Sequence, residues 1–282
     1  MTSIYQIPLK GANVWAKLES ENPTGTHKDR SIGPWIERYV KQGVKEFAIA
    51  SSGNSALAAA RYCKISKLKL HIFVSENSFA LARLKKGRAE LHIGKTPRRD
   101  AIQFCARKKD IINLRASTDN YALLGYKQIA YELVKQLPRM DNIFIPTSSG
   151  ATLQGVYAGF KEKTDKMPAF YAVQTTRVHP IASYFDKDFK REKTSYAAAI
   201  VDNIAHRRDR VIKICEETGG GGLVISNQEL AEAKDALEET GWPCHAPSGA
   251  WQSALAFAGF LKWQKRSQQK AGGGVSVCLF TD

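Results

Sequence analysis

The stretch FAIASSGNSALAAARYC (residues 47–63) sets the fold class. Its first four residues are apolar and strand-like, SSGNS is small and hydroxylated, and the alanine-rich remainder has helical spacing. A strand running through a tight loop into a helix is the repeating half-unit of a parallel α/β protein. Such a loop leaves backbone N–H groups open at a helix N-terminus, where an anion is stabilised. Ser51, Ser52 and Ser55 add hydroxyls, Asn54 adds an amide, and Gly53 keeps the backbone accessible, a set suited to a carboxylate. The same residues also suit an ordinary helix start capped by Asn54 or Ser55.

The pattern repeats outward from there. IFIP (143–146) reads as a second strand and TSSGATLQG (147–155) as a second small-residue loop entering a helix. Ser148, Ser149, Gly150, Ala151 and Thr152 would let a phosphate approach the backbone, although no Gly-Lys-Ser/Thr of a Walker loop is present. Further strand-like runs fall at 68–74, 111–114, 170–174 and 275–280. Helical periodicity covers 31–42, 56–63, 98–108, 121–136, 227–239 and 250–263. The 282 residues suffice for two modest subdomains or one large α/β unit. Glycine clusters at 219–222 and 272–274 precede apolar runs and read as flexible turns, with a phosphate cradle at 219–222 as the alternative.

A third stretch, NPTGTHKDR (22–30), starts with turn residues and runs into a helical pattern. Thr26 is placed to cap that helix, with Asp29 completing a capping-box-like pair. Lys28 then sits in the first turn, where the helix dipole disfavours a cation. The neutral amine is the nucleophile of Schiff-base chemistry, so the position suits a reactive lysine as well as a solvated one. An amine, a phosphate loop and a carboxylate loop are what one phosphorylated aldehyde cofactor and an amino acid require together.

The bulk properties exclude several classes. No run of about 18 apolar residues exists, so a membrane span is not expected. The N-terminus lacks a signal or transit pattern, and a cytoplasmic address follows. The five cysteines form no CxxC pair, which argues against a zinc or disulfide framework, and Cys244 beside His245 does not by adjacency make a thiolate site. A net charge of +15 would suit nucleic acid, but the basic residues are scattered and no nucleic-acid-binding signature appears. A basic surface that draws in anionic small molecules is the favoured reading. VDNIAHRRDR (201–210) is read as a solvated helix face, with phosphate donation as the alternative.

WAKLESENPTGTHKDR (15–30), SSGNS and SSGAT (148–152) together resemble the fold-type II pyridoxal-phosphate enzymes, a family that includes threonine synthase, cysteine synthase, serine/threonine dehydratase and the tryptophan synthase β-chain. GYKQIAYEL (125–133), HAPSGAWQSALA (245–256) and the terminal VCLFTD are similar to later family segments in the same order. The resemblance implies two doubly wound parallel-sheet subdomains with pyridoxal 5′-phosphate in the cleft between them. Residues 1–42 and 140–282 would form the larger cofactor domain, and 43–139 the smaller one. It implies that Lys28 binds the cofactor covalently, that Asn54 contacts its ring oxygen, and that Ser51, Ser52, Gly53 and Ser55 hold the substrate carboxylate. Ser148, Ser149, Gly150, Ala151 and Thr152 would hold the phosphate, and Thr281 would face the pyridine nitrogen. His27 would pack on the cofactor rather than act as a base. The chain departs from the family at Thr26 for serine, Ala151 for glycine and Ala246 for glutamate. A threonine-synthase-like β/γ-elimination or replacement is expected, in an amino-acid biosynthetic lyase acting on a small amino acid as a homodimer. A cysteine synthase or dehydratase, or a cofactor-binding protein without turnover, are the alternatives. No metal, nucleic-acid or membrane partner is expected.

Overall fold

A computed structural model describes residues 1–51, 53–78, 80–108, 110–241, 251–267 and 274–281. Ser52 and the segment with Cys244, His245 and Ala246 thus lie outside the described residues. The chain opens with strands β1 (Ile4–Ile7) and β2 (Val14–Leu18), then α1 (Lys28–Val40), β3 (Glu46–Ala50), α2 (Asn54–Ile65) and β4 (Lys69–Val74). It continues through α3 (Leu81–Lys85), β5 (Glu90–Ile93), α4 (Pro97–Arg107), β6 (Ile111–Asn113), a 3₁₀ segment (Asn120–Tyr126) and α5 (Lys127–Gln136). Next come β7 (Asn142–Pro146), α6 (Ala151–Lys163), β8 (Ala169–Thr175) and α7 (Arg208–Glu217). The last described elements are β9 (Gly221–Ile225), α8 (Asn227–Glu239), α9 (Trp251–Ser267) and β10 (Ser276–Phe280).

The chain divides into two compact units, Met1–Glu21 with Lys127–Asp282, and Asn22–Tyr126. These bounds differ from the expected 43–139. The reason lies in α1, whose residues at helical spacing all bind within the smaller unit. Ser31 Oγ donates to the Ala122 carbonyl at 2.6 Å, and Trp35 Nε1 and Tyr39 Oη donate to Asp119 at 2.8 and 2.7 Å. Lys28, assigned from sequence to the larger domain, therefore belongs to the smaller one.

The smaller unit holds a four-stranded, all-parallel sheet in the order β5-β4-β3-β6. Phe47, Ile49, Leu70, Ile72 and Val74 point to the face that packs with α1 and α2. Ala48, Phe73 and Ile111 point to the other, with Ala101 and Phe104 of α4. The larger unit holds a six-stranded sheet, β1-β2-β10-β7-β8-β9, parallel except for its edge strand β1. Phe144, Val173, Leu223, Cys278 and Phe280 bury against α8 and α9 on one face. Burial on both faces gives β10 its uninterrupted apolar character.

The glycine cluster at 219–222 is neither a flexible turn throughout nor a phosphate cradle. Gly221 and Gly222 are paired residues of β9. A Cβ on Gly222 would stand 2.6 Å from Ala182 Cα, so the small residue serves close packing. No described helix is long and apolar enough to cross a membrane.

Candidate active site

Strand order locates the loops. In the smaller sheet the chain leaves β3 toward β4 and returns to β6 on its other side; in the larger sheet it leaves β7 toward β8 and returns to β10. β3 and β7 are therefore topological switch points, and ligands of open α/β sheets bind beyond the carboxyl ends of such strands. Each of the two anion loops read from sequence follows one of these two strands.

Beyond β3, Ser51 and Gly53 lead into α2, whose first residues are Asn54 and Ser55. The helix opens on Gly53 with no side-chain cap, so neither Asn54 nor Ser55 is spent as a capping residue. Beyond β7, Gly150 adopts a left-handed conformation (φ +88°) and opens α6, again with no side-chain cap. A side chain at Gly150 would be strained by its φ, and its Cβ would stand 2.6 Å from Val211 Cγ2. Ala151 is already helical, so alanine there in place of glycine costs the turn nothing. Ser148 Oγ accepts from the N–H groups of Val201 and Asp202 at 3.1 and 3.2 Å, leaving its one O–H free to donate. Thr281, buried, follows β10, the parallel neighbour of β7, so it ends at the same sheet edge as the 148–152 loop.

The segment 201–210 is solvated at Val201, Asn203, Ile204, His206, Asp209 and Arg210, but not throughout. Asp202 and Arg207 are buried, and Arg207 Nη1 donates to Gln154 Oε1 at 2.9 Å. Arg207 Cβ lies 3.4 Å from where a Gly150 Cβ would stand, which sets this arginine at the phosphate-type loop. Charge density in the sequence pointed to the segment but could not single out the residue that turns inward.

Lys28 is the first residue of α1 and half-buried. The expected Thr26–Asp29 capping box is not formed. His27 occupies the cap position in helical geometry, and Asp29 instead accepts from Thr24 N–H and Oγ at 2.8 and 2.6 Å. Thr26 is buried, and its Oγ lies 3.4 Å from the Lys28 N–H. The Lys28 ammonium reaches the hydroxyl of Tyr126 at 3.5 Å and lies 5.9 Å from the ring centroid. His27 stacks on the same ring at 5.8 Å. Sequence reading missed Tyr126; its signal was the aromatic inside GYKQ, unreadable without knowing that the 3₁₀ segment packs on α1. Burial first, then the Asp29 carboxylate, pushes the neighbouring Tyr62 phenol up.

The described cysteines, Cys63, Cys105, Cys215 and Cys278, are free thiols, and burial raises each, Cys63 and Cys215 to about 12. They remain protonated and inert near neutrality.

With that geometry in place, the family model described as pyridoxal-phosphate dependent enzyme matches residues 3–282. The chain belongs to this family. Its cofactor is accordingly pyridoxal 5′-phosphate, and the uncapped α6 start, the left-handed Gly150 and the half-buried Lys28 are chemically suited to a phosphate and an aldehyde. This pyridoxal-phosphate enzyme is 27% identical over 284 residues to a threonine synthase of Synechocystis, a match spanning 96% of the chain and 72% of that protein. It is 26% identical over 242 residues to the threonine synthase of Methanocaldococcus jannaschii, covering 79% of the chain and only 60% of the relative's length. Among solved structures it resembles an O-acetylserine dependent cystathionine β-synthase from Helicobacter pylori, with TM-score 0.80 and 18% identity over 100% of the chain and 92% of the other. A pyridoxal 5′-phosphate-dependent aspartate racemase gives TM-score 0.81 at 17% identity, over 99% and 89%. These structural likenesses establish the fold.

Proposed function

We propose that the protein catalyses a β/γ-elimination or replacement on a small amino acid, threonine-synthase-like, with O-phosphohomoserine converted to threonine as the leading reaction. The observation that carries this reading is Thr281, a buried neutral hydroxyl at the sheet edge shared with the 148–152 loop. Bound pyridoxal phosphate supplies an electrophilic aldehyde and an electron sink. A hydroxyl at its pyridine nitrogen does not hold a proton there as a carboxylate would, which suits elimination better than transamination.

The remaining roles belong to the chain. Ser148, Ser149, Gly150, Ala151 and Thr152 bind the cofactor phosphate with N–H and O–H donors, and Asn54 orients the ring. Ser51, Ser52, Gly53 and Ser55 bind the substrate carboxylate. Lys28 Nζ holds the cofactor and then moves the proton of the substrate α-carbon, with the Tyr126 hydroxyl orienting the amine. Arg207 beside the loop favours a phosphorylated substrate, as does the net charge of +15.

The test incubates purified holoenzyme with O-phosphohomoserine and measures threonine and inorganic phosphate in equal amounts. Borohydride reduction followed by peptide mapping should place the cofactor on Lys28, and Lys28→Ala should abolish both the label and turnover. Cysteine from O-acetylserine and sulfide, or keto acid from serine or threonine, with no threonine formed, would overturn the substrate assignment.

A further inference from the structure

One face of the smaller sheet carries polar side chains at positions that would ordinarily be apolar under a helix. Alternation puts Glu46 of β3, Lys69, His71 and Phe73 of β4, and Glu90 and His92 of β5 on the side facing α4. His71 is buried, His92 partly buried, and Glu90 lies at the exposed rim. The rings of Phe73 and Phe104 wall the cluster, with Phe73 stacked on His92 at 4.4 Å and Phe104 4.6 Å from His71.

Hydrogen-bond chemistry constrains what this cluster does. His71 Nε2 lies 2.6 Å from Glu46 Oε1, and a carboxylate can only accept, so Nε2 carries the proton. The other ring nitrogen of His71, Nδ1, lies 3.1 Å from His92 Nε2 and 3.1 Å from Glu90 Oε2. The ligand atoms of His71, Glu90 and His92 all lie within 4.8 Å of one another. A tetrahedron with metal–nitrogen bonds of 2.0–2.1 Å sets its ligand atoms about 3.3 Å apart. Lys69 holds the other oxygen of Glu90 at 3.3 Å and also reaches Glu46 at 3.2 Å, leaving Glu90 Oε2 directed at His71. A carboxylate on the far nitrogen of a metal-binding imidazole is the usual outer support of such a ligand.

We propose that His71, Glu90 and His92 bind a divalent transition-metal ion of the zinc class, with Glu46 orienting His71 and a solvent ligand completing the shell. Two imidazoles and a single carboxylate select this class over calcium or magnesium, which take oxygen ligands. The site clasps the short edge strand β5 to β4. Its ligands lie on β4 and β5, with His92 opposite Phe73 and so two strands away from Ala50 at the end of β3, and the site serves the stability of the unit rather than the amino-acid chemistry.

The test uses full-length holoenzyme stripped with a chelator, desalted and titrated with Zn²⁺ by calorimetry, then with Co²⁺ by visible spectroscopy. The expected result is one tightly bound ion per chain with the intense bands of tetrahedral cobalt. Glu46→Ala should weaken zinc binding by about 10–100-fold, and His92→Gln and Glu90→Gln by more, whereas His179→Gln leaves it unchanged. The two glutamine variants change partly exposed residues, and circular dichroism verifies that they fold. Saturable zinc binding that survives both glutamine variants, or no stoichiometric binding to wild type, overturns the proposal. In the second case His71 and Glu90 form a hydrogen-bonded pair of the sheet with no ion.

Discussion

At the scale of single residues, Gly150 is the most constrained member of the candidate site. Its φ of +88° lies where an L side chain is strained by about 1–2 kcal/mol, and the Val211 contact adds to that. Gly150→Ala is therefore expected to displace the 148–152 loop and weaken pyridoxal-phosphate affinity by about tenfold or more, measured by titrating the stripped enzyme with cofactor. Equal affinity in wild type and variant would show that the loop does not bind the phosphate. Ala151→Gly is the matching control. That position is helical, so the substitution should leave affinity within a few-fold.

At the scale of elements, α1 and the 3₁₀ segment act as one piece. Pro34 lacks the N–H that would return to the Arg30 carbonyl one turn back, and Gly125 packs against that carbonyl. A Cβ on Gly125 would stand 1.6 Å from Arg30 O, so no other residue fits without moving the backbone. The neighbouring Tyr126 is thereby held over Lys28. Gly125→Ala should cost about 3 kcal/mol, the upper end of overpacking penalties, seen as a lower urea midpoint together with lost turnover. Tyr126→Phe keeps the ring on His27 and should retain the midpoint while slowing turnover. If the two variants lost stability alike, the tyrosine would be a packing residue alone.

At the scale of the whole molecule, the larger unit holds two polar anchors inside its apolar core. In the larger unit, buried Lys17 has its three ammonium donors taken by Glu132, the Thr2 carbonyl and Gln136 at 2.7, 2.6 and 2.9 Å, tying β2 to α5. Asp186 accepts from the Val224 N–H at 3.0 Å and pairs with Arg266 and Lys262 at 3.0 and 3.2 Å. Burial alone would raise its carboxyl, but the Val224 N–H and the two cations outweigh it and hold the group below the ordinary aspartate value. A depressed folded pKa contributes stability that is complete above the unfolded value of about 3.9 and is lost as pH falls through the lower folded one. Asp186→Asn should lower the urea midpoint at pH 7, and the gap to wild type should close as pH falls below the ordinary aspartate value of about 3.9. A gap independent of pH would remove Asp186 as the acid-sensitive anchor.

The sequence by itself determined the α/β class, the approximate strands and helices, and the cofactor chemistry. These depend on local periodicity, small-residue loops and the NPTGTHKDR and SSGNS motifs, which are legible within a few residues. Glycine-rich β9 and the short β1, β2 and β5 escaped because their strand character comes from pairing rather than composition. Tertiary structure alone decided that α1 and Lys28 belong to the smaller unit, since the partners of Ser31, Trp35 and Tyr39 lie about 80 to 90 residues away. It turned Arg207 inward to Gly150 and brought Tyr126 to Lys28. It also assembled Glu46, His71, Glu90 and His92, because parallel strands meet only after their crossover helices set the register, a quantity no local pattern encodes.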